Sequence, residues 1–161
     1  MRPVAAGLLA LLLPALAWAE APHAHGVAKL DVALEGRRLS MEFTAALEDV
    51  LGFERKPAND KERAAFEAAA AYFKSGQAIV AGASANCRVA DTVVEMQERA
   101  KGHFELVARL TYDCKEPGEL KSLEAALLAR YKKLKHIDVR VVTPKGQSAA
   151  RATPAKPAFG L

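Results

Sequence analysis

Residues 28–44 read A-K-L-D-V-A-L-E-G-R-R-L-S-M-E-F-T. Ala28, Leu30, Val32 and Leu34 fall on one side of an extended chain, and Lys29, Asp31 and Ala33 on the other. A period of two is the signature of a strand with one buried face. Glu35-Gly36-Arg37 supplies a turn. Leu39, Met41 and Phe43 then alternate with Ser40, Glu42 and Thr44. The stretch predicts a hairpin lying with one face on a core.

Downstream, residues 45–58 read as a structured loop that packs Leu51 and Phe53 inward. Asn59 can cap a helix, with Glu62 answering three residues later as in a capping box. The alanine-rich run from Arg63 to Lys74 has high helix propensity. Phe66, Ala69, Ala70 and Phe73 form its apolar stripe, and Gly76 ends it. A second, longer hairpin is predicted from Arg88 to Gln97 and from His103 to Cys114, turning at Ala100-Lys101-Gly102. Pairing Cys87 with Cys114 also sets Val89 against Tyr112 and Val93 against Ala108. A one-residue slip would turn a whole face outward, so this agreement supports a cross-strand disulfide between Cys87 and Cys114. It would close a loop of about 26 residues and add roughly 3 kcal/mol.

Leu120, Leu123, Leu127, Tyr131 and Leu134 recur at three- and four-residue steps, which predicts a second helix from Glu119 to Lys135. Lys132, Lys133 and Lys135 would sit at the negative end of its dipole. Ile137, Val139 and Val141 alternate in a strand. Thr143-Pro144-Lys145-Gly146 turns, and Gln147 to Ala152 forms a short last strand. The expected fold is α+β: a mostly antiparallel sheet of about six strands, two helices on one face, in the order β-β-α-β-β-α-β-β. Residues 20–152 would form one domain, with 153–161 an edge segment or tail.

Upstream, the first 19 residues read as a cleavable export signal. Arg2 gives the positive end, an apolar run follows to Leu13, and Ala17-Trp18-Ala19 is the small-x-small pattern of a signal peptidase site. The run is shorter than the roughly 20 residues of a membrane span. The mature chain is therefore expected to be exported, with no part inserted in the membrane. Two cysteines in an exported chain favour a disulfide over a pair of metal-binding thiols. The net charge of +4 over 161 residues is far from the dense basic stripe of a nucleic-acid binder. No nucleic-acid partner is expected.

The chemistry concentrates in His23-Ala24-His25-Gly26. On an extended chain, residues two apart project to the same side, about 6.5–7 Å apart. Two such imidazoles can converge on one ion at about 2.0–2.1 Å each. A solvated histidine pair is the alternative. His103 and His136 are the other two histidines, and Glu20, Asp49 and Glu54 are candidate carboxylate partners. His136-Ile137-Asp138 reads as an outward strand surface, because no nucleophile accompanies it. Nucleophile elbows, phosphate-binding glycine loops and zinc-protease helix motifs are all missing from the sequence. An enzyme is not expected.

These pieces, in this order, resemble the ZrgA-like periplasmic proteins of Gram-negative bacteria. The resemblance rests on His23-x-His25-Gly26, on residues 28–36, on Gly52-Phe53-Glu54, on the two hairpin cysteines and on V-T-P-K-G-Q-S-A at 142–149. It implies a zinc-binding accessory protein that assists zinc uptake beside a membrane zinc transporter. It implies His23 and His25 as ligands of Zn²⁺, with His103 matching the family's histidine after the central hairpin turn. Family members often carry a histidine where this chain has Arg55, and the better-studied members have a long histidine-rich insertion that this chain lacks. One modest site is what these residues support. The other reading is a metal-free scaffold that docks a transporter through Lys132, Lys133 and Lys135.

Overall fold

The computed structural model describes residues 25–100 and 102–161. The export signal read at residues 1–19, together with Glu20 and His23, lies outside the described residues. The chain opens with β1 (Val27–Glu35) and β2 (Arg38–Ala46), followed by helices α1 (Leu47–Leu51) and α2 (Asp60–Lys74). Next come β3 (Val80–Ala81), β4 (Cys87–Ala100), β5 (His103–Cys114), β6 (Ser122–Glu124) and helix α3 (Leu127–Arg130). Strands β7 (His136–Thr143), β8 (Gly146–Ala152) and β9 (Ala158–Gly160) complete it. Among the described residues, no helix is long and apolar enough to cross a membrane.

The first hairpin forms as its alternation dictates. Ala28, Leu30, Val32 and Leu34 are buried, and so are Leu39, Met41 and Phe43. This hairpin lies at the middle of a six-stranded sheet of order β4-β5-β2-β1-β7-β8. The sheet is mixed rather than antiparallel throughout, because β7 runs parallel to β1. The chain between β5 and β7 passes across the inner face and re-enters beside β1, which reverses the expected direction. A second sheet, β3-β6-β9, has three strands. One buried cluster joins the inner face of the large sheet to Phe73, Ile79, Leu123, Leu127 and Phe159. The Phe43 and Phe73 rings, 5.3 Å apart, link sheet and helix.

Helix α2 matches its sequence signals closely. Asn59 Oδ1 accepts a hydrogen bond from the Glu62 N–H at 2.9 Å. Glu62 reaches back in turn, accepting from the Ala58 N–H at 2.7 Å, one residue earlier than the capping box requires. Ala69 and Phe73 are buried, and Phe66 packs on the core's edge. Gly76, at φ +74°, ends the helix where an added Cβ would stand 2.8 Å from Val89.

The second expected helix, Glu119–Lys135, is not formed. A 3-10 turn at Pro117–Glu119, strand β6 and the four-residue α3 replace it. The apolar stripe is inside, as its spacing predicts: Leu120, Leu123, Leu127, Tyr131 and Leu134 are all buried. A different backbone buries it. β6 has strand partners on both edges, with Leu123 between Ala81 and Phe159. Pairing to two distant segments overrides helix propensity. Lys132, Lys133 and Lys135 therefore do not cap a helix. Leu47–Leu51, expected as loop, is a short helix closed by Gly52, whose N–H donates to the Glu48 carbonyl at 2.9 Å.

The long hairpin carries the disulfide Cys87–Cys114. Cys87 opposes Cys114 and Val89 opposes Tyr112, as expected. A bulge between Val89 and Asp91 then shifts the register by one. Val94, not Val93, opposes Ala108, and Val93 turns outward, 45% exposed. The extra residue flips the β4 side chains from Asp91 to Glu98, where a second irregularity shifts the register again.

Replacing both cysteines with serine is expected to lower stability by about 3 kcal/mol, read from urea unfolding. A second expectation concerns acid. Hydrogen bonds from Arg55, then from the Ala58 N–H, hold the Glu62 carboxyl down to about 2. A lowered folded-state value gives stability that is present above the ordinary carboxylate range and lost as the pH falls from there through about 2. Glu62→Gln should flatten that acid limb in denaturation midpoints measured against pH.

Candidate metal centre

Gly26 organises one end of the large sheet. Its φ of +81° suits glycine. Its N–H donates to Asp49 Oδ2 at 2.7 Å, a buried contact with α1. Its carbonyl accepts from the Lys135 N–H at 2.8 Å and the His136 N–H at 3.3 Å. His25, the preceding residue, is thereby held over α1 on one side and beside the segment 133–136 on the other.

In α1, Leu47 and Asp49 are buried, so Glu48 between them faces out from the first turn. Gly52 reverses the chain after α1 at φ +87°. Two residues on, the Glu54 carbonyl accepts from the Phe104 N–H at 3.0 Å. That bond ties the loop to the start of β5 and brings Glu54 beside His103.

The side chains then converge. His25 Nε2 stands 3.6 Å from Glu54 Oε1, and His25 Nδ1 stands 3.8 Å from Glu48 Oε2. His103 Nδ1 is 3.2 Å from Glu54 Oε2. One ligand atom each from His25, Glu48 and Glu54 lies within 4.8 Å of the other two. Ligands of a tetrahedral zinc, at about 2.0–2.2 Å from the ion, stand about 3.3–3.6 Å from one another. Closing the trio takes roughly an ångström of movement by partly exposed side chains. His25 is 59% exposed and each glutamate 35%.

The fourth neighbour is a cation. Lys133 Nζ donates to Glu48 Oε1 at 2.8 Å. That hydrogen bond, and then the ammonium charge itself, hold the Glu48 carboxyl below the usual carboxylate range. Glu48 therefore carries its negative charge at neutral pH, with one oxygen already engaged by Lys133.

Of the residues expected at the site, His25 and His103 meet here through Glu54, and His23 lies outside the described residues. His103 is not one of the three that converge most closely. Among the candidate carboxylates, Glu54 is at the centre, whereas Asp49 is buried and taken by the Gly26 N–H. Arg55 turns away from the trio and donates to both oxygens of Glu62, at 2.6 and 2.9 Å. His136 stays on the sheet's outer strand surface, 3.7 Å from Asp138, and Asp138 accepts from Arg151 at 2.8 Å. Glu48 is the candidate ligand that sequence reasoning missed. Apolar residues at 47, 50 and 51 followed by Gly52 are a short helical period. That period alone would have set Glu48 on the open side.

Residues 22–161 match the sequence model of a family described as ZrgA family zinc uptake protein. No curated protein matches the chain.

Gly26→Ala tests the anchor. An added Cβ would stand 3.1 Å from the Lys133 carbonyl oxygen and from the Lys135 side chain. The left-handed backbone adds about 1–2 kcal/mol of strain. The variant should lose at least that much stability in urea unfolding.

Proposed function

The chain belongs to the ZrgA family of zinc uptake proteins, and from that footing we propose that it holds Zn²⁺ through His25, Glu48 and Glu54 and hands it to a membrane zinc transporter in the periplasm. One observation carries the reading. An imidazole and two carboxylates from three separate chain segments bring their ligand atoms within 4.8 Å of one another. Zinc accepts that nitrogen-and-oxygen donor set.

The zinc here is cargo. A site rich in carboxylate oxygen, on a partly exposed rim, suits an ion that must arrive and leave. His103 steadies Glu54 from behind, as outer-shell histidines and carboxylates orient each other around metals. The protein carries the ion and performs no reaction on it, so it is not an enzyme. The disulfide and the export signal read at residues 1–19 support an oxidising, exported setting.

Calorimetric titration of zinc into the metal-stripped mature protein should give one-to-one binding. His25→Ala, and the double variant Glu48→Gln with Glu54→Gln, should abolish it. His103→Ala should weaken it by about 10–100-fold. An imidazole ligates only when neutral, so binding should weaken on acidification. Equal heats in the parent and in His25→Ala would overturn the reading, as would no heat in the parent.

A further inference from the structure

We propose that Lys133 is a tethered competitor for Glu48, a built-in cation that zinc must displace and that keeps the site's affinity low enough for release. The proposal rests on the zinc site above and adds to it the residue that sets its strength.

The geometry is specific. Glu48 presents one oxygen, Oε2, toward His25 and gives the other, Oε1, to Lys133 Nζ at 2.8 Å. Zinc bound to this carboxylate, at about 2.0–2.2 Å from an oxygen, would lie a few ångströms from the ammonium. Two cations then share one anion at close range, and each weakens the hold of the other. The carboxylate has to be won from Lys133 when zinc enters. The same ammonium stands ready to take it back when zinc leaves.

The lysine is also held in place. Its carbonyl oxygen lies 3.1 Å from where a Cβ on Gly26 would stand. Leu134, next in the chain, is buried, and the Lys135 N–H donates to the Gly26 carbonyl at 2.8 Å. The residue that fixes His25 therefore fixes Lys133 too. The separation between the imidazole, the carboxylate and the ammonium is built into one backbone junction. Lys133 lies 85 residues from Glu48 in the chain, so no local helix pairing brings them together. The segment after α3 is what delivers the charge.

The Lys133–Glu48 pair is partly exposed. Pairs of that kind are worth little by themselves, so the effect on zinc should be modest and measurable. Lys133→Met removes the charge and keeps the length of the stem. It should bind zinc about three- to tenfold more tightly than the parent. Release to a fast chelator should slow by a similar factor. Lys133→Arg keeps the charge and should bind as the parent does, or more weakly. Both changes are on the surface, and urea midpoints equal to the parent's would show that the fold is kept.

Equal or weaker binding by Lys133→Met, with the parent binding normally, would overturn the proposal. Lys133 would then position Glu48 rather than compete for it. Tighter binding in both Lys133→Met and Lys133→Arg would overturn it as well, because charge would not be the cause. If the parent itself bound no zinc, the metal site would fall first and this proposal with it. The parent titration therefore separates the two failures.

Discussion

Strand β1 is bonded along both edges, antiparallel to β2 and parallel to β7, and its register governs everything around it. A slip of one residue would turn Leu30 and Val32 outward and expose Lys29 and Asp31 to the core. Burial of an unpaired charge forbids that. Because Gly26 immediately precedes β1, the same register decides which backbone groups meet its N–H and carbonyl. The hydrophobic alternation inside the sheet and the meeting of His25, Glu48 and Lys133 at its end are consequences of one alignment.

The outer face of the sheet shows how the polar half of that alternation is managed. Asp31 and Glu42 are direct cross-strand neighbours, and like charges placed so are unfavourable. Each is met by an arginine from the far side. Arg140 donates to both oxygens of Asp31, at 2.6 and 2.8 Å. Arg109 donates to Glu42 at 2.8 Å and to Glu95 at 2.6 Å. Exposed pairs of this kind add little stability. They offset the repulsion and keep the outer face of the six-stranded sheet polar.

Local signals were legible in the sequence, and long-range ones were not. Helix α2 was readable because Asn59, Glu62 and Gly76 mark both ends within the segment itself. The first hairpin and the disulfide were readable because alternation and register are near-neighbour properties. The stripe from Leu120 to Leu134 identified what is buried and misidentified the backbone that buries it. A three- and four-residue spacing is also produced by a turn, a strand and a short helix in succession, and strand partners at Ala81 and Phe159 leave no local mark. The bulge after Val89 was invisible for a similar reason: Val93 and Val94 are equally apolar, so composition could not say which one faces inward. At the site, His25 and His103 stood out because histidine is scarce here, whereas Glu48 and Lys133 are common residue types made special by position alone.

The disulfide has a consequence beyond holding two strands together. Thiolate is the softest donor that these side chains could offer zinc, and it binds more tightly than imidazole or carboxylate in most settings. Cys87 and Cys114 are the two cysteines in the sequence, and as a disulfide they have no thiolate to give. They sit at the opposite end of β5 from His103, roughly 35–40 Å along the strand. Oxidation thus removes the thiolates as a competing trap and leaves the proposed site at His25, Glu48 and Glu54 without that rival. The redox state of the surroundings, by closing one bond far from the proposed site, would decide where on the protein a soft metal could be held.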